Sequence, residues 1–213
     1  GQIYQTGADA WGLFAVWAAL TLPWALLAGC SATWAVWLVV ANVAIRLWWA
    51  QVRPEDDAWF VGSSLSIILF DGAFLLARER LAGAGVAWAA QRWTRWLLLV
   101  PILGAATVCA VGWIFHRHGA TWFDGLGAAV SVGAILAAVA VYRWGLRDVA
   151  ALTLAVMAAC VVIVMAGFEL MYRLAPGADI GIFLIGGLFT LGLFAAAVAW
   201  LRHAARDHEA HHA

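Results

Sequence analysis

Lysine is missing from this chain, and its absence removes one chemistry at once. A retinal-type Schiff base needs a lysine amine, yet all twelve basic residues among the 213 are arginines. Histidine is present in the wrong places for intramembrane haem, which needs axial ligands inside the lipid. His116 and His118 fall between apolar runs, and His203, His208, His211 and His212 follow the last one. Cysteine is scarce. Cys30, Cys109 and Cys160 show no CxxC and no metal-ligand spacing, and read as small helix residues. A glycine-rich phosphate loop is also missing. Charge is the largest deficit, at 11% of residues against a soluble norm of about a quarter. The formal net charge is zero, which gives no electrostatic footprint for a nucleic-acid partner.

What fills the chain instead is apolar. Hydrophobic residues make up 66% of it and the mean hydropathy is +0.91. The excess persists along the whole length, so the surrounding medium is lipid. Runs of the ~20 residues needed to span a bilayer occur at about 11–29, 32–50, 58–77, 96–115, 125–142, 149–170 and 180–201. The pattern predicts an all-α, polytopic membrane bundle of about seven transmembrane helices, with an external polar segment at 1–10 and a His-rich tail at 202–213. Pro23 and Pro101 lie inside runs, where membrane helices tolerate them. The first two runs are joined near Gly29-Cys30-Ser31 as a tight hairpin. The longest connection, 78–95, carries four arginines and interfacial tryptophans, and reads as a loop with a short amphipathic helix over about 86–95. Many of the fifteen tryptophans lie near run ends, as an aromatic belt does.

Arginine placement sets the orientation. Arg78, Arg80, Arg92, Arg95, Arg143, Arg147, Arg202 and Arg206 fall on one side, while Arg53, Arg117 and Arg173 fall on the other, with Arg46 near it. The positive-inside rule makes the first side cytoplasmic, the N-terminus external and the C-terminus cytoplasmic.

Ionisable residues within an apolar run are costly and mark candidate sites. Asp71, in SIILFDGAFLLA, is the clearest. It is placed roughly 10 Å from the cytoplasmic helix end at ~1.5 Å per residue. It reads either as a protonation site or as a structural hydrogen-bonding group. Arg46 and Glu169 fall at similar depth near the outer ends of their runs, which allows an ion pair or two separate snorkelling side chains. Asp71 and Arg46 differ too much in depth to pair. Asn42, one turn from Arg46, is a candidate for an interhelical hydrogen bond. Ser63, Ser64 and Ser66 have no His or Lys nearby in sequence and read as packing hydroxyls. HEAHH at 208–212 matches the letters of a zinc-protease motif without a third ligand, and reads as a solvated tail. No metal, cofactor or catalytic pair is implied, so an enzyme is disfavoured.

Small residues crowd two runs: Gly127 with Ser131 and Ala129 with Gly133 and Ala137 in one, Gly181, Gly186, Gly187 and Gly192 in the other. Such faces let helices approach closely. The partners expected are membrane lipids and other transmembrane subunits or a second copy. This favours an accessory or scaffold protein over a small-molecule or ion transporter, the alternative being proton-linked transport through Asp71.

The opening stretch carries a resemblance. GQIYQTGAD, then LPWALL at 22–27 and the Trp-rich WAVWLVVANVAIRLWW at 34–49, resembles a bacterial family of predicted membrane proteins catalogued as domain of unknown function 2157. The likeness covers about residues 1–50. In that family the segment follows earlier transmembrane helices, so the chain resembles the C-terminal part of such a protein. A start at Gly1 without a signal peptide agrees with that expectation. The resemblance implies a multi-pass protein of the bacterial inner membrane, and it singles out Gln2, Tyr4, Gln5 and Thr6 as an external contact segment.

Overall fold

A computed structural model describes residues 10–53, 58–115, 121–177 and 179–210, excluding the side chains of 179 and 207–210. Every regular element among them is helical. In order they are α1 (Ala10–Ala28), α2 (Ser31–Val52), α3 (Ala58–Gly83), α4 (Ala87–Ala90), α5 (Arg92–Phe115), α6 (Trp122–Ala140), a π-helical turn (Val141–Gly145), α7 (Val149–Leu174) and α8 (Asp179–Ala210). Seven segments are long and apolar enough to cross a membrane, α6 and the π turn counting as one. The protein is an all-helical, polytopic membrane protein.

The chain divides into two compact units within α5, between Ile102 and Leu103, one residue after Pro101. In the first unit α1 packs on α2, α2 on α3, and α3 on α4. Gly29, at φ +54, takes the left-handed conformation that reverses the chain between α1 and α2. Ala25, Trp37, Leu38 and Leu98 form the centre of this unit, with Trp34, Phe70 and Phe74 packed around them. Phe70 and Phe74, one turn apart on α3, meet Trp37 with ring centroids 5.9 and 5.2 Å away. The Trp37 indole also donates to the Ala18 carbonyl at 2.9 Å, tying α2 to α1.

In the second unit α6 packs on α7 and α7 on α8. Two helix starts are written locally. The Thr121 hydroxyl accepts from the Asp124 amide while the Asp124 carboxylate accepts from the Thr121 amide, a capping box at α6. Asp148 caps α7 by accepting from the amides of Ala150 and Ala151 at 3.1 and 3.2 Å. Between α7 and α8 the packing is reciprocal. Phe168 of α7 fills the space beside Gly186 of α8, and Phe189 of α8 fills the space beside Gly167 of α7. Lipid tails are as apolar as these side chains, so close fit rather than water exclusion favours the contact.

Several boundaries differ from those the hydropathy predicts. The third span runs to Gly83 and not 77, because Arg78, Glu79 and Arg80 continue the helix and Arg78 pairs with Glu79. The amphipathic helix expected over 86–95 is replaced by the four-residue α4, and α5 already begins at Arg92. The turn expected at 143–148 starts as a π-helical turn at Val141. The last helix, expected to end at about 201, continues as α8 to Ala210. In each case a charged residue is helical while hydropathy alone reads it as an end.

Candidate intramembrane polar site

The polar residues of α2 and α3 meet each other. Asn42, Arg46 and Trp49 lie at i, i+4 and i+7 on α2 and so share one helix face. Asp71 stands near the middle of α3 with no exposed surface, and Ser63 and Ser64 are equally enclosed. The Asn42 amide nitrogen donates to Asp71 Oδ1 at 3.1 Å and to the Leu38 carbonyl at 2.9 Å. Nearer the start of α3, Arg46 Nη1 donates to the Ser63 hydroxyl at 3.4 Å, and that hydroxyl donates to the Phe60 carbonyl at 3.0 Å. The Trp49 indole donates to the Ser66 hydroxyl at 2.9 Å, while its ring lies over Gly62, where a methyl group would overlap it.

This seam places the sequence candidates as follows. Asn42 makes an interhelical hydrogen bond, and its acceptor is Asp71. Arg46 reaches Ser63, which precedes Asp71 by about two turns of α3. Glu169 is bound within its own helix by Arg173, at 2.7 Å across one turn. It borders a cavity of about 320 Å³ in the second unit with Phe115, Phe168, Tyr172, Ile182 and Phe183. Gln2, Tyr4, Gln5 and Thr6 lie outside the described residues, as do His116, His118 and the side chains of the HEAHH stretch.

The chemistry of the seam is unevenly satisfied. Asn42 uses its donors and leaves Oδ1 without a partner among the described residues; Asp71 Oδ2 and Ser64 Oγ are likewise enclosed and unpartnered among them. An interhelical hydrogen bond in a membrane contributes about 0.6 kcal/mol on average, whereas a charged carboxylate at the centre of a span costs roughly 2.5–3.5 kcal/mol. The Asn42 bond therefore orients Asp71 without offsetting the burial of its charge. An acid held this way can accept a proton or bind a donor brought to it.

A second cluster escapes a hydropathy reading altogether. Arg78 is 4% exposed. It donates from Nε to the Thr94 hydroxyl at 3.2 Å, from Nη2 to the Gln91 carbonyl at 2.9 Å, and from Nη1 to Glu79 at 2.7 Å. Arg95 binds the same carboxylate with two nitrogens, at 2.7 and 3.0 Å. The Gln91 side-chain oxygen accepts from Ser31 at 2.6 Å and Trp93 at 2.7 Å, joining α2 and α5 at this level. The available signal was the RER triplet at 78–80, whose alternating charges can pair with each other and with Arg95 while the helix continues.

No family model matches the chain, and neither a curated protein nor a solved structure matches it.

Proposed function

We propose that this protein is an accessory or scaffold subunit of the bacterial inner membrane, packing α8 against other membrane helices. The observation that carries this reading is α8. Gly181, Gly187 and Gly192 each have open space where a side chain would stand, whereas Gly186 is filled by Phe168. Glycine costs a helix about 0.8–1.0 kcal/mol relative to alanine. Lipid gains nothing from it, but a partner helix gains close backbone approach. The inner-membrane location, the family likeness and the contact role of Gln2, Tyr4, Gln5 and Thr6 are supported by the GQIYQTGAD resemblance. Purification from native membranes in mild detergent, with mass spectrometry of what co-elutes, tests the reading. A stoichiometric partner whose retention Gly187→Leu and Gly192→Leu weaken supports it. A lone chain or a homo-oligomer overturns it.

One observation favours a second reading, proton-linked transport. Asp71 is wholly enclosed and has one carboxyl oxygen without a partner among the described residues. Flux measured in liposomes that falls to background in Asp71→Asn supports transport; flux equal in both proteins removes it.

A further inference from the structure

Two of the enclosed, unpartnered oxygens belong to side chains already bonded to each other. Asn42 Nδ2 donates to Asp71 Oδ1, while Asn42 Oδ1 and Asp71 Oδ2 have no partner among the described residues. Each free oxygen shares a carbon with an atom of the existing hydrogen bond. An ionised carboxylate and an amide oxygen only accept, so together they leave two groups unsatisfied. One proton on Asp71 Oδ2 satisfies both. The acid O–H donates to Asn42 Oδ1 and closes a two-point ring of acid and amide. A bridging water could serve the same two atoms, but it leaves the carboxylate charge in the membrane.

The charged form of Asp71 has a different partner within reach. Trp37 meets Phe74, Asn42 meets Asp71 and Arg46 meets Ser63, so α2 and α3 run antiparallel. Arg46 stands one turn, about 6 Å, from Asn42 along α2. The sequence places Arg46 and Asp71 at depths too different to pair. Because α3 continues to Gly83, Asp71 lies at mid-helix and the offset shrinks to about that one turn. Helical side chains lean towards the N-terminus of their own helix. On α2 that direction is towards Asp71, and on α3 it is towards Arg46. In the structure the guanidinium turns outward instead, and Nη1 donates to Ser63 at 3.4 Å, long for an N–H donor.

No other described cation of the first unit is so placed. Helices α1 and α4 carry no charged residue. Arg78 lies two turns further along α3 and is bonded to Glu79. Arg92 and Arg95 stand at the start of α5, and Arg95 also holds Glu79.

We propose that Asp71 is a proton-binding site with two alternate partners: the neutral acid closes on Asn42, and the carboxylate pairs with Arg46. The inference rests on the proton uptake that the transport reading requires, and adds Arg46 as the residue that answers to it. On deprotonation the Oδ2–H bond breaks, the electron pair stays on the carboxylate and the proton leaves to water. Arg46 stays charged throughout and moves from Ser63 to Asp71. The arrangement in the structure is that of the neutral acid.

The test is solid-state NMR of the full chain in liposomes, with carbon-13 in aspartate carboxyls and nitrogen-15 in arginine and asparagine side chains. The Asp71 carboxyl signal is identified by its loss in Asp71→Asn. At low pH it is expected at the position of a neutral acid, with a dipolar contact to an asparagine nitrogen and none to arginine. Raising the pH is expected to move it to the carboxylate position and to bring up a contact with an arginine guanidinium. Arg46→Lys keeps the charge and is expected to abolish that contact. A carboxyl signal that never titrates overturns this inference and the transport reading together. A signal that titrates without gaining the contact, or a contact that survives Arg46→Lys, overturns this inference alone.

Discussion

The α2–α3 pair and the α7–α8 pair hold two membrane helices together by different means. Between α2 and α3 the contact is a row of hydrogen bonds, Asn42 to Asp71, Arg46 to Ser63 and Trp49 to Ser66, with one ring laid on Gly62. Between α7 and α8 it is shape, with Phe168 on Gly186 and Phe189 on Gly167. Hydrogen bonds in lipid are individually weak and angular, so they fix rotation and register. Interlocked rings and glycines give close contact without placing a polar atom in the membrane. Chemistry is therefore concentrated in the first pair, and the second is left to packing.

The comparison breaks most easily at the glycines. Gly186→Leu places a side chain where the Phe168 ring stands, and is expected to destabilise the second unit by about 1–3 kcal/mol or more through overpacking. Unfolding in mixed micelles checks this, and unchanged stability would show that the ring is free to move aside. Next in size is Asn42→Leu. It leaves the enclosed Asp71 without the side-chain partner it has among the described residues and is expected to cost about 1–3 kcal/mol. Asn42→Leu combined with Asp71→Leu removes both polar groups and is expected to recover most of that loss in the same assay. A double variant no better than the single one would show that the pair contributes little beyond its shape.

How much of this was legible in the sequence depends on which property fixed it. Seven spans follow from apolar length alone, and the described residues contain seven segments of that kind. Helix ends were less legible because hydropathy stops at the first arginine, whereas Arg78 stays helical by bonding Thr94, Gln91 and Glu79. Asp71 and Asn42 stood out as polar residues in apolar runs, but their pairing needed the relative rotation of α2 and α3. Trp49 was hidden for another reason. A tryptophan at a run end looks like part of the interfacial belt, and only Gly62 and Ser66 facing it turn it inward. The sequence left Arg46 and Glu169 open as a pair or as two separate side chains, because neither local partner, Ser63 for Arg46 and Arg173 for Glu169, shows in a hydropathy profile.

Smaller effects sharpen the contrast. Trp49→Phe keeps a ring over Gly62 and loses the bond to Ser66, so a loss of about 0.6 kcal/mol is expected from an unfolding titration. A larger loss would mean that the indole packs in a way phenylalanine cannot. Arg173→Gln removes a partly exposed pair within one helix and is expected to shift stability by less than about 0.5 kcal/mol. A shift several times larger would give the second unit a polar tie comparable to those of the first.

The claim on which the rest stands is that the polar faces of α2 and α3 are turned towards each other inside the membrane. Oxidative cross-linking tests it most directly, using Asn42→Cys with Asp71→Cys in native membranes after Cys30, Cys109 and Cys160 are changed to alanine. Rapid intramolecular cross-linking of that pair, and slow cross-linking when Asp71→Cys is replaced by Leu69→Cys on the exposed face of α3, is the predicted result. Cross-linking of Leu69→Cys with Asn42→Cys at the faster rate would contradict it.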